Sequence, residues 1–222
     1  MGKPSLRFLP AAAIVAASLA ALPATAAGLD PESRILWDQR DGDSFITVLT
    51  QNFETAYDMY DCQGADDFVV REGETWVLKT IEAIGTHFNG IGPLRSMHVT
   101  VHRDSGGSPA RPGEILSDVL EAPVEKIGCE LCGSYLARLP QPVELAPGRY
   151  WIALQGNMDF DESGEWGWEA AATQRGKPGL WRNPGGGFGV GCTDYEKQVR
   201  CIGDSGQSSD YLFALHGKKR RP

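Results

Sequence analysis

Apolar residues in this chain recur at every second position, in short runs cut off by glycine and proline, and no segment carries a sustained helical period. Such a chain folds as strands. The runs cover residues 67–71, 75–88, 97–102, 114–120, 134–139, 149–155, 165–170 and 211–216. In Met97-His98-Val99-Thr100-Val101-His102 the apolar side chains fall on one face and the polar ones on the other, as a half-buried strand requires. Asn89-Gly90, Ser105-Gly106-Gly107 and Ala146-Pro147-Gly148 supply turns between runs. Many short strands with such turns predict an all-β fold, an antiparallel β-sandwich. Residues 176–209 are different. Pro184-Gly185-Gly186-Gly187-Phe188-Gly189 has little side-chain material to pack, and a patternless stretch of this length is expected to be either a functional loop or disordered.

The first residues follow another logic. Lys3 and Arg7 precede an apolar, alanine-rich run over 8–22, then Pro23-Ala24-Thr25-Ala26-Ala27, whose small residues fit a cleavage site. That run is about 15 residues, short of the ~20 that span a bilayer. Residues 1–27 are therefore expected to be a signal peptide, with no transmembrane segment after cleavage and a secreted or periplasmic product. One β-sandwich domain is expected over 28–217, and Lys218-Lys219-Arg220-Arg221 in a solvated basic tail, 218–222. The leader carries Lys3 and Arg7 and no acid, so its loss takes the net charge from −8 to −10. A surface this acidic repels phosphate backbones and argues against nucleic acid as a partner.

Export permits disulfides. Of the five cysteines, Cys192 and Cys201 flank a short polar loop and are expected to bridge. Cys129 and Cys132 either pair with each other, or one of them reaches Cys62.

Several segments stand in a recognisable order: Ala65-Asp66-Asp67-Phe68, His87-Phe88-Asn89-Gly90, Asp104-Ser105-Gly106-Gly107-Ser108-Pro109 and Ala146-Pro147-Gly148-Arg149-Tyr150-Trp151. Asn157-Met158-Asp159-Phe160, Trp166-Gly167-Trp168-Glu169 and Asn183-Pro184-Gly185-Gly186-Gly187-Phe188-Gly189 complete it. Over residues 35–217 the set resembles a secreted bacterial jelly-roll-like β-sandwich module, found alone or beside subtilisin-like proteases and other surface proteins. The resemblance implies fold and location and no particular activity. Cys62, Cys129 and Cys132 depart from its pattern.

Four constellations could carry chemistry. Asp104-Ser105-Gly106-Gly107 and Gly203-Asp204-Ser205-Gly206 echo the nucleophile segment of trypsin-like proteases, but no histidine stands in the matching setting, and Asp-Ser-Gly-Gly also makes a good hairpin turn. No catalytic residue is assigned. His98 and His102 share a strand face but lie ~13 Å apart at four residues' rise, too far for one zinc ion. Asp66 and Asp67, or Asn157, Asp159 and Asp161, could supply oxygen ligands to a structural Ca²⁺; the competing reading of the second group is a solvated acidic loop. Trp166 and Trp168 share one strand face, with Trp181, Phe188 and Tyr195 following. Exposed, these rings would stack on sugars. Buried, they are sandwich core, and Glu165 and Glu169 on the opposite face fit that arrangement.

The expectation is a non-catalytic exported binding module for a polysaccharide or another cell-envelope component, steadied by Ca²⁺. The alternatives are a structural or adhesion protein that binds another protein and, third, a secreted hydrolase.

Overall fold

The computed structural model describes residues 29–108, 111–129, 132–203 and 210–220. The expected signal peptide and Ser205 lie outside the described residues. In chain order the strands are β1 (Arg34–Asp38), β2 (Asp43–Leu49), β3 (Gln51–Asn52), β4 (Gln63–Val70), β5 (Thr75–Ala83), β6 (Gly85–Phe88), β7 (Ser96–Asp104) and β8 (Pro112–Ala122). Then come β9 (Val124–Ile127), β10 (Ser134–Leu145), β11 (Gly148–Asn157), β12 (Glu165–Ala171), β13 (Leu180–Arg182), β14 (Glu196–Lys197) and β15 (Phe213–Arg220). A 3-10 helix (Thr55–Tyr60) and two short helices, α1 (Phe160–Ser163) and α2 (Gln198–Ile202), interrupt them.

A five-stranded sheet, β1-β15-β5-β10-β9, packs against a seven-stranded one ordered β14-β13-β4-β11-β7-β8, with β3 added beside β11. A third sheet, β2-β12-β6, completes the core. Every strand pairing is antiparallel except β3 with β11. The chain is thus an all-β sandwich.

Period-two alternation builds the core. Met97, Val99 and Val101 of β7, Tyr150, Ile152 and Leu154 of β11, and Tyr135, Ala137 and Leu139 of β10 face inward together. Trp166, Trp168 and Ala170 of β12 meet Tyr211, Phe213 and Leu215 there. Trp151 and Ala153, on the other face of β11, form a second small cluster with Ala65, Leu180 and Tyr195. That cluster roofs the sheet with the segment expected to lack structure: 176–209 contains β13, β14 and α2.

The run over 75–88 is two strands, because the chain changes sheets at Ile84. Beyond it, a Cβ at Gly85 would lie 2.6 Å from the Trp166 ring, so only glycine lets β6 lie against that indole. The basic segment is not a loose tail. Residues 218–220 continue β15 beside β5, held because each cation meets an acid. Lys218 pairs with Glu32, Lys219 with Glu74 at 3.2 Å and Arg220 with Glu144 at 2.9 Å.

Cys192–Cys201 and Cys129–Cys132 are disulfides, which resolves the open pairing, and Cys62 is a buried free thiol. Burial pushes the Cys62 thiol up to about 12. Ellman's reagent should therefore find no thiol in the native protein and one per chain in denaturant. Three thiols per chain in denaturant would mean an open disulfide.

Candidate functional site

Two short helical segments and one glycine loop build an aromatic hollow. After β3 the chain enters the 3-10 helix, where the Phe53 amide donates to Asp61 Oδ1 (2.8 Å). Glu54 reaches across to α1 and accepts the Phe160 and Asp161 amides at 2.7 and 3.2 Å, satisfying donors that a helix start leaves free. Asn183, fully buried, clamps the other side. Its Nδ2 donates to the Met59 and Asp61 carbonyls at 2.8 and 2.9 Å, and its Oδ1 accepts the Phe188 amide at 3.2 Å. The Gly187 amide donates to the Met59 carbonyl at 2.9 Å.

This contact explains the glycine run. A Cβ at Gly185 would lie 2.6 Å from Met59 Cα, and one at Gly187 would lie 2.6 Å from the Met59 oxygen. Side chains there would push the loop off the 3-10 helix. Flush contact instead sets Phe188 edge-on to Tyr60, with centroids 5.2 Å apart at 65°.

Phe53, Tyr57, Tyr60, Phe160, Glu165 and Phe188 enclose a cavity of about 210 Å³. Phe160 meets Phe53 at 6.5 Å and 56°, and Tyr57 at 5.7 Å and 76°. Rings at such angles wrap a hollow rather than tile a flat face. The charge around it is negative. Its lining has one carboxylate, Glu165, and no cation. The Asp161 charge, with partial burial and a 3.4 Å hydrogen bond from the hydroxyl, raises the Tyr57 phenol above its usual range. Burial raises the Asp61 carboxyl, and the neighbouring Asp58 adds to that.

Of the aromatic residues singled out in sequence, only Phe188, 38% exposed, reaches this cavity. Trp166, Trp168, Trp181 and Tyr195 are buried, which corrects the expectation of a sugar platform. Each indole N–H donates to a backbone carbonyl: Trp166 to Gly133 (2.6 Å), Trp168 to Leu212 (2.8 Å) and Trp181 to Leu49 (2.7 Å). Tyr195 donates to Gln63 Oε1 at 2.6 Å, beneath the Arg182 guanidinium. Phe53, Tyr57 and Tyr60 escaped notice, and Phe160 stood only within a landmark segment, not as a site residue. Their one local signal was the i, i+4, i+7 spacing of Phe53, Tyr57 and Tyr60, a single helical face inside a strand-forming chain.

Each residue expected at Ca²⁺ has a partner within the protein. Asp66 and Asp67 lie in β4 opposite Ile152 and Trp151 of β11, and Asn157 ends β11. Asn157 donates to Ser96 Oγ and the Leu120 carbonyl, each at 2.8 Å. Asp159 pairs with Arg95 at 3.2 Å, and Asp161 with Tyr57. Adjacent strand residues face opposite ways, so Asp66 and Asp67 do not face each other. Asp66 accepts Gln39 Nε2 (2.8 Å) and the Tyr211 and Asp67 amides (2.7 Å each). Asp67 accepts the Lys177 amide (2.6 Å) and pairs with Arg149. Asp210 accepts the Arg175 and Gly179 amides. Backbone donors, the Gln39 amide and one arginine thus balance these buried acids, and the Arg175, Lys177 and Gly179 backbone amides peg the loop over 175–179 onto the sandwich.

Burial raises Asp66 well above the carboxylate range, with the Asp210 charge adding to it, and burial raises Asp210 to about 6. A raised carboxyl means that the fold favours the protonated acid. The cost of charging Asp210 is absent below its unfolded value of 3.8, grows as pH rises to about 6 and is constant above, reaching about 3 kcal/mol. Urea melts should therefore show wild type losing stability across that window relative to Asp210→Asn. Parallel pH profiles for the two proteins would remove Asp210 from the account.

Asp104-Ser105-Gly106-Gly107 is the turn between β7 and β8: Asp104 Oδ2 accepts the Gly106 amide (3.0 Å) and Ser105 Oγ the Gly107 amide (3.4 Å). Each of the four histidines has another partner: His87 has Tyr135, His98 has Asp118, His102 has the Gly113 carbonyl and His216 has Glu82.

The fold and site together define an all-β sandwich closed by two disulfides, with an acidic aromatic cavity on its surface. No protein-family model, curated protein or solved structure matches this chain.

Proposed function

We propose that the chain is an exported, non-catalytic binding domain whose ligand enters the aromatic cavity. One observation carries this reading. Phe188, Tyr57, Tyr60 and Phe160 are held partly open to solvent by a buried asparagine and a glycine run, while all six tryptophans but Trp37 are buried in the sandwich. Surface rings gathered around a hollow contribute less to stability than core rings and suit recognition. Two disulfides fit an oxidising compartment, and no helix among the described residues is long and apolar enough to cross a membrane. The N-terminal motif supports export, and N-terminal sequencing of protein from the periplasm or medium should start near residue 27 or 28.

The binding reading is tested by thermal shift with a panel of envelope-derived saccharides and small organic cations, on wild type and Phe188→Ala. A ligand that raises the Tm of wild type and not of the variant supports it. A ligand that raises both equally would place the site elsewhere.

A further inference from the structure

We infer that the aromatic cavity is a cage for a quaternary ammonium group, enclosed by Tyr57, Tyr60, Phe160 and Phe188 and neutralised by Glu165. This rests on the cavity being the binding site and adds the chemistry of its ligand. Three observations favour a compact cation over a sugar. The first is size: about 210 Å³ lies below the roughly 300–1,000 Å³ of cavities that take drug-sized ligands, so a head group fits and an oligosaccharide does not. The second is ring geometry. Tyr57 meets Phe160 at 76° and Tyr60 meets Phe188 at 65°, so the four rings line the cavity in different planes, whereas stacking on a sugar needs one open flat face. Aromatic faces carry negative charge and attract cations, most strongly where several surround one methylated ammonium that water solvates weakly.

The third is the field. Glu165 lines the cavity, Asp58, Asp161 and Glu162 lie on the two helical segments that frame it, and Glu54 and Asp61 flank the 3-10 helix. Asp161 and Glu54 both disfavour ionisation of the Tyr57 phenol, which keeps that hydroxyl neutral beside the cavity. A negative site of this kind draws a cation in and rejects an anionic ligand.

The chemistry is shared by a free solute and a lipid head group, and the test separates them. The full-length mature protein is titrated calorimetrically with choline, with choline's neutral isostere bearing carbon in place of nitrogen, and with a methyl glucoside. Phosphatidylcholine vesicles are compared with phosphatidylglycerol vesicles by flotation. Choline is expected to bind about tenfold or more tightly than its isostere, to weaken about tenfold in Glu165→Gln, and to be lost in Phe188→Ala with the fold intact by circular dichroism. Choline-competed flotation with phosphatidylcholine assigns the lipid; choline binding without flotation assigns the solute; either supports the cage. Equal binding of the neutral isostere overturns it. Binding of the glucoside alone, lost in Phe188→Ala, overturns the cation and leaves the cavity as the site. Silence from every probe at millimolar concentration overturns both.

Discussion

Trp168→Ala is expected to cost about 3–5 kcal/mol of stability, the range for deleting a buried aromatic ring. For a domain of this size that is a fall in Tm on the order of 10 °C. The ring has no solvent exposure, stacks on Tyr211 at 4.4 Å and 16°, and meets Phe213 edge-on at 5.7 Å. Its loss opens a cavity between β12 and the approach to β15, and it removes one of two hydrogen bonds to the Leu212 carbonyl, which accepts the indole N–H at 2.8 Å and the Ile84 amide at 3.1 Å. Trp168→Phe keeps part of the packing and loses the same hydrogen bond, so it should fall between wild type and Trp168→Ala. Urea denaturation measures both. An exposed indole would cost under about 0.5 kcal/mol, and that result would return Trp168 to the surface.

This tryptophan shows what sequence periodicity can and cannot carry. Alternation put Trp166 and Trp168 on one face, and Glu165 and Glu169 on the other, and the structure keeps that division. Alternation does not say which face is wet. The answer comes from Tyr211 and Phe213, about 45 residues later, which are not local to β12. The strands over 97–102, 134–139 and 149–155 were legible from their runs of apolar residues, although β11 buries both of its faces. β1, β2, β13 and β14 carried no such pattern in their few residues. The aromatic cavity was harder still. Its residues come from 53–60, 160–165 and 188, and they meet only because Asn183 and two glycines fix one backbone against another. Phe188 drew notice for its glycine-rich setting; its partners were dispersed. Asp66 and Asp67 stood out as adjacent acids, yet the groups that balance them, Arg149, Gln39 and the Lys177 and Tyr211 amides, lie far along the chain.

Arg149→Met follows from that compensation and is expected to cost about 3–5 kcal/mol, the penalty for leaving a buried charge without its partner. Arg149 enters from β11 opposite Val69 and pairs with Asp67, whose carboxylate is 1% exposed. The methionine keeps the length and apolar stem of the side chain, so the loss reports the charge rather than the packing. Because 30% of the arginine side chain is exposed, water can reach part of the vacated space, which favours the lower end of the range. The coupling is testable through a double-mutant cycle. Asp67→Asn alone strands a guanidinium that water can still solvate and costs less. The double variant has no buried charge and should recover at least about 1 kcal/mol over the sum of the single changes. Additive costs would mean that the pair carries no interaction energy. A local reading accompanies the global one. Asp67 also holds the Lys177 amide, and a Cβ at Gly176 would lie 2.7 Å from its Oδ1, so the loop sits directly on this carboxylate. If the carboxylate takes up a proton or swings toward water in Arg149→Met, the loop loses one of its three pegs. Trypsin should then cut after Arg175 under conditions in which wild type stays whole. Resistance of that bond in a destabilised Arg149→Met would show that the Asp210 contacts hold the loop without Asp67.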